Sequence, residues 1–174
     1  RHHGCRGFSV RMVELLTTEE LAYIAGIVDG EGSIGLITVM GNHRPAKRRN
    51  SRSAGKEHPG HSPQTKMRVS VGMTERSIPE WLCSEFGGYL TYREFPDKNW
   101  KPRCDWTATS QIAARFLEAI LPYLRIKKVQ AEIALAFQKK RVRGHPLSDV
   151  QRQADEILHS SLRELNRKGV ERVK

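Results

Sequence analysis

The alternation of apolar and polar residues is clearest at Met67 to Met73, where Met67, Val69, Val71 and Met73 fall on one side and Arg68, Ser70 and Gly72 on the other. A period of two marks a half-buried strand. Ser33 to Met40, rich in Ile, Leu and Val and free of Pro, predicts its antiparallel partner. A second hairpin is expected over Gly88 to Phe95 and Arg103 to Thr109, turning at Pro96 to Pro102. In it Leu90 and Tyr92 alternate with Tyr89, Thr91 and Arg93, and Trp106 and Ala108 alternate with Arg103, Asp105 and Thr107.

Helical patterns surround these strands. Thr17-Thr18-Glu19-Glu20 before Leu21 places a hydroxyl and acids where a helix start needs them, which predicts a helix from Thr18 to Glu31. Ser77 to Phe86 is expected to be helical, with Pro79 tolerated in the first turn and Gly87-Gly88 ending it. Gln111 to Leu121, Lys127 to Arg141 and Ser148 to Asn166 are each apolar along one face, broken by Pro122 and by Gly144-His145-Pro146. This order predicts the α+β class, an antiparallel sheet with helices on one face and the other left open. The open face would carry Arg68, Ser70, Tyr89, Thr91, Arg93, Arg103, Asp105 and Thr107.

The 174 residues give room for one domain. We assign it to 17–174, with 1–16 as a leader or disordered terminus. Gly41 to Lys66 interrupts the pattern as a loop between the first two strands. Ala46 and Ala54 are its only hydrophobic residues, and seven basic residues face the single acid Glu57, so it carries +6 of the formal net charge of +11. Such an excess points to a polyanionic partner, nucleic acid first. Lys47, Arg48, Arg49 and Arg52 suit phosphates, which give affinity without sequence preference, unless the loop is only a solvated insertion. Arg68, Arg93 and Arg103 suit base edges in a major groove, where arginine favours guanine.

Other classes fit poorly. Apolar runs such as Leu21 to Val28 are too short to cross a bilayer, so no membrane partner is expected. Cys5, Cys83 and Cys104 are odd in number and widely spaced, which suggests neither a disulfide framework nor a CxxC zinc site; an intracellular, reducing compartment such as the cytoplasm or an organelle matrix is expected. His43, His58 and His61 raise a zinc site, but paired cysteines do not support it.

Ile24-Ala25-Gly26-Ile27-Val28-Asp29-Gly30-Glu31-Gly32 is the most informative stretch. Gly26 and Gly30, four apart, share a helix face and strip it of bulk, although each glycine costs about 1 kcal/mol relative to alanine there. Another helix of the same kind, packed backbone to backbone, fits that notch. Asp29 and Glu31 stand at the helix C-terminus, where the dipole disfavours negative charge by roughly 0.3–1 kcal/mol. A divalent cation would reverse that penalty; solvated or loop-capping acids are the plain alternative.

These nine residues resemble the LAGLIDADG motif of homing endonucleases and related maturases, position by position, with Glu31 standing for the motif's second Asp. Phe86-Gly87-Gly88-Tyr89, Trp106, and the stretch from Phe116-Leu117 through Leu121-Pro122-Tyr123-Leu124-Arg125-Ile126-Lys127 to Gln130-Ala131 are similar to further landmarks of the family. The resemblance covers most of Leu21 to Arg141. It implies an αββαββα core whose four-stranded, saddle-shaped sheet lies on double-stranded DNA, with extra C-terminal helices. It implies Mg²⁺, or another divalent ion such as Mn²⁺, on Glu31 with help from the Gly32 carbonyl, and Lys127 as a basic catalytic residue. A single motif implies a homodimer, joined through Ile24, Gly26, Ile27 and Gly30, that cuts both strands of a long, near-palindromic target in intron homing. An RNA maturase acting on intron RNA and a catalytically silent DNA-binding protein are the alternatives on this scaffold. Val71, Gly72 and Met73 depart from the family, which often places a polar residue there, and Thr74, Glu75 or Arg76 are the expected substitutes.

Overall fold

A computed structural model describes residues 2–4, 16–39, 64–96, 98–141 and 148–167. In chain order the elements are β1 (His2–Gly4), α1 (Thr18–Glu31), β2 (Gly32–Val39), β3 (Gln64–Met73), α2 (Ser77–Phe86), β4 (Tyr89–Arg93), β5 (Arg103–Thr109), α3 (Ser110–Ile120), a 3₁₀ turn (Leu121–Tyr123), α4 (Lys128–Lys139) and α5 (Asp149–Leu165).

The start of α1 follows from local chemistry. Thr17 Oγ1 accepts the Glu20 N–H at 3.2 Å while the Glu20 carboxylate accepts the Thr17 N–H at 2.8 Å, a reciprocal cap that satisfies two otherwise orphaned donors. Strand β2 leaves the end of the helix with no loop between. A Cβ at Gly32 would sit 2.6 Å from the Val28 carbonyl oxygen, so the tight exit requires glycine.

The sheet is antiparallel with strand order β1-β4-β5-β3-β2. The four expected strands are present, and the α+β architecture is as the pattern predicts. Two features differ. His2–Gly4, assigned from sequence to a leader, pairs with Tyr89 to Thr91 as a fifth strand, because the outer ladder of β4 offers backbone groups for pairing. Strand β3 begins at Gln64, not Met67, since Gln64, Thr65 and Lys66 pair with Val39, Thr38 and Ile37 in place of continuing the basic loop.

Helices α1 to α4 cover one face. There Ile34, Leu36, Met67, Val69, Val71, Leu90, Trp106 and Ala108 meet Ile24, Val28, Leu82, Phe86, Phe116, Leu117 and Ile120 in one cluster. Trp106 and Phe86 both pack edge-on against Phe116, each with ring centroids 4.8 Å apart. The buried Trp106 indole donates to the Gly87 carbonyl at 2.8 Å. Gly88 has φ +101, and a Cβ there would lie 2.5 Å from the Thr107 carbonyl oxygen, so the Gly87-Gly88 pair and Trp106 form one structural unit.

Helix α5 is tied down at both ends. Its start carries a second reciprocal cap between Ser148 and Gln151. Arg141 pairs with the buried Asp155 at 2.7 Å and stacks over the Phe137 ring, and Asn166 Nδ2 donates to the Ile34 carbonyl of β2 at 2.7 Å. Cys104 is a buried free thiol, whereas Cys83 is disulfide-bonded, against the expectation from spacing alone.

Candidate active site and nucleic-acid interface

The end of α1 meets the start of α4. The Asp29 carboxylate accepts the backbone N–H groups of Arg125 (2.9 Å), Ile126 (3.2 Å) and Lys127 (2.9 Å). Burial alone would raise its pKa, but these three N–H groups and the Lys127 charge outweigh burial and hold it below the usual value. Asp29 therefore caps the turn that leads into α4, the loop-capping alternative for this acid, and its oxygens are directed at backbone.

Lys127 returns the interaction. Its ammonium donates to the carbonyls of Val28 (2.9 Å), Asp29 (2.8 Å) and Gly32 (2.8 Å), so a cation neutralises the C-terminal end of α1 where the dipole is negative. Gly32, expected to lend its carbonyl to a metal, here serves Lys127, and a positive group at hydrogen-bond distance opposes a second cation on the same oxygen.

Glu31 behaves differently. It is exposed and makes no hydrogen bond or ion pair with the described residues. Two acids two positions apart are thus divided, one engaged with backbone and one open. Among the described residues no group of three or more His, Cys, Asp or Glu forms a metal cage. Glu31 leaves one open carboxylate, a donor type that suits a hard cation such as Mg²⁺, which keeps several waters and is commonly held by one or two carboxylates together with substrate phosphates.

The face of α1 that carries Gly26 and Gly30 is uncovered among the described residues. A Cβ at either glycine would meet nothing within 4 Å, and Tyr23, 56% exposed, lies on the same side with the half-buried Ile27. Tyr23 was not singled out from sequence, although its spacing from Gly26 and Gly30 places it there. Ile24, expected at the interface, is wholly buried in the core of its own chain. The helical turn of about 100° per residue groups it with Ala25 and Val28, away from the glycines.

The open face of the sheet carries the residues predicted for it. The registers align Ser33, Ser70, Thr107 and Tyr89 in one row and Gly72, Asp105 and Thr91 in the next, with Arg93 opposite Arg103. Arg68, Arg93 and Arg103 are exposed, and Ser70, Tyr89 and Thr91 are half-buried. Asp105 and Thr107 are buried, because β5 is a central strand and its neighbours close over them; Asp105 is covered by Arg93 and Arg103. Lys66 and Ser33 belong to this face by alternation but were missed, Lys66 because it was assigned to the loop. Gly72 leaves space for an ion-pair cluster, which accounts for the lack of a polar side chain at that point. Lys47, Arg48, Arg49, Arg52, His43, His58 and His61 lie outside the described residues. No helix among the described residues is long and apolar enough to cross a membrane.

No protein-family model matches the chain, and no curated protein sequence does. Solved structures do. The archaeal intron-encoded homing endonuclease I-Vdi141I, complexed with DNA, superposes with TM-score 0.60 at 15% identity, covering 90% of this chain and 89% of its own. The homing endonuclease I-CvuI, in complex with its target in the presence of Ca, superposes with TM-score 0.57 at 20% identity, covering 90% of this chain and 87% of its own. A further homing endonuclease, I-TnaI, covers 83% of this chain and 94% of its own at TM-score 0.50 and 15% identity. The fold is that of the LAGLIDADG homing endonucleases. In this chain the nine-residue stretch Ile24–Gly32 is the last eight residues of α1 with the first residue of β2, and the sheet is the broad open surface described above.

Proposed function

We propose that the chain is a site-specific DNA endonuclease that works as a homodimer, hydrolysing both strands of a long, near-palindromic duplex with a divalent ion. The observation that carries this reading is the uncovered, glycine-notched face of α1, which ends in the exposed and unpaired Glu31. The shared fold with DNA-bound homing endonucleases and the net charge of +11 support the DNA partner.

One chain supplies one Glu31, so two cuts take two chains. A second copy fits the notch because two such helices can approach backbone to backbone, and a two-fold axis between them brings the two Glu31 residues to one middle and sets a near-palindromic target. Glu31 would hold Mg²⁺ or a similar ion, which when bound supplies charge stabilisation and an activated water at the scissile phosphate. Lys127 contributes a fixed positive charge. With hydrogen bonds to three carbonyls, it shapes the corner and would act on a nearby phosphate through its charge, not as a proton carrier. Its full engagement also supports the second reading, a catalytically silent DNA-binding protein on this scaffold; the unpaired Glu31 favours the enzyme.

The test is cutting of a randomised duplex pool in Mg²⁺ by the full chain and by Glu31→Gln. The enzyme reading expects recovery of one near-palindromic family of cut duplexes, lost in the variant. Binding without cutting would leave the silent regulator in its place. Sedimentation at the working concentration tests assembly, and a monomer with full double-strand activity would rule out the homodimer.

A further inference from the structure

The open face of the sheet holds a cluster that a row of independent surface arginines would not form. Asp105 Oδ2 lies 2.7 Å from Arg93 Nε and Asp105 Oδ1 lies 2.5 Å from Arg103 Nε. The side chain of Asp105 is only 10% exposed, whereas those of Arg93 and Arg103 are 60% and 51% exposed. The carboxylate is thus sheltered beneath two guanidinium groups that it grips by their inner nitrogens, leaving the cluster one net positive charge. The space comes from β3. A Cβ at Gly72 would collide with the Asp105 carboxylate and the Arg103 guanidinium, which lie across that position.

A guanidinium held through Nε keeps its terminal Nη groups for a second partner, and that pair of nitrogens matches the O6 and N7 acceptors of guanine in the major groove. Ordering both side chains before binding removes part of the entropy cost of immobilising them on DNA. A sheltered Asp105 is poorly placed to touch a base itself and would otherwise repel phosphates. We infer that Asp105 is a specificity-determining positioning residue, which holds Arg93 and Arg103 over the glycine gap at position 72 so that they read guanine at two positions of each half-site. The inference rests on the DNA-binding reading proposed above and adds to it which residue sets two of the base preferences, and how.

The experiment is selection of bound duplexes from a randomised pool by the full-length wild-type chain, Asp105→Asn and Gly72→Ala, with thermal melts on each. Wild type is expected to prefer guanine at two positions per half-site by roughly 5- to 150-fold each, the range for a bidentate arginine contact. Asp105→Asn should lose most of that preference at both positions and keep the remaining profile. Gly72→Ala, whose added methyl would meet the Asp105 carboxylate as well as the Arg103 guanidinium, should displace the cluster and weaken the preference at both positions, most at that of Arg103. Arg93→Lys and Arg103→Lys assign which position belongs to which arginine. An Asp105→Asn profile identical to wild type, or one weakened evenly at every position, overturns the inference while leaving DNA binding intact. A folded wild-type chain that selects no sequence overturns both the inference and the reading on which it rests.

Discussion

At the end of α1 a carboxylate and an ammonium group turn inward, Asp29 onto three N–H groups and Lys127 onto three carbonyls. On the open face of the sheet another carboxylate, Asp105, turns two guanidinium groups outward. The same kinds of charge serve opposite ends. Where backbone donors and acceptors are left over at a helix terminus, charged side chains complete them and fix the geometry. Where strands have already paired their backbone, charged side chains can only organise one another, and their outer edges remain for a partner. Glu31 lies between these cases, on the helix end but outside its bonding.

That contrast can be broken in several ways. The largest effect is expected from Glu31→Gln, which should slow duplex cleavage by about 10³-fold, the equivalent of several kcal/mol of lost charge stabilisation at the phosphate. Because Glu31 is exposed and unpaired, its thermal melt should stay within about 0.5 kcal/mol of wild type. A large drop in stability would move Glu31 into the structural group.

Lys127→Met should do the reverse and cost stability first. Losing a charged donor to three carbonyls is worth about 2 kcal/mol, a fall in Tm of roughly 4–8 °C for a chain of this size. An unchanged melt would mean that the carbonyls do not depend on the ammonium. Asp29→Asn is expected to cost about 1–2 kcal/mol, since one amide oxygen replaces two charged acceptors. Its pH dependence gives a further check. The folded pKa lies below the ordinary 3.8, so the contribution of Asp29 is fully present above that value and is lost as pH falls through the folded pKa. Acid melts of Asp29→Asn should therefore show a shallower loss of stability than wild type.

The smallest effect carries the sharpest sign. Gly26→Ala meets nothing within its own chain, so the monomer should gain up to about 1 kcal/mol from helix propensity while self-association weakens. Denaturation at low concentration and sedimentation at high concentration measure the two separately, and a variant that dimerises as well as wild type would clear the notch of any role in assembly.

Much of this was legible in the residues. Thr18–Glu31, Ser77–Phe86 and Arg103–Thr109 were bounded correctly because their signals are local: a capping box, a Gly-Gly stop and a strict alternation. The first turn of β3 was not, because Gln64, Thr65 and Lys66 are polar and are held extended by pairing with Val39, Thr38 and Ile37, not by their own pattern. The strand at His2–Gly4 depends in the same way on β4. Within the site, the glycine spacing and the exposed acid could be read directly. The bonds that divide Asp29 from Glu31 could not, since they join residues nearly a hundred positions apart. Ile24 was misplaced because a motif names neighbours in sequence, while a helix assigns them to different sides.

The edge strands of the sheet are β1, which pairs three residues of β4, and β2, whose Ile34 carbonyl accepts from the side chain of Asn166. Molecules meeting side by side would thus find a very short strand at one edge and an acceptor already taken at the other. Removing His2–Gly4 or Asn166 should free the backbone groups they engage and lower solubility.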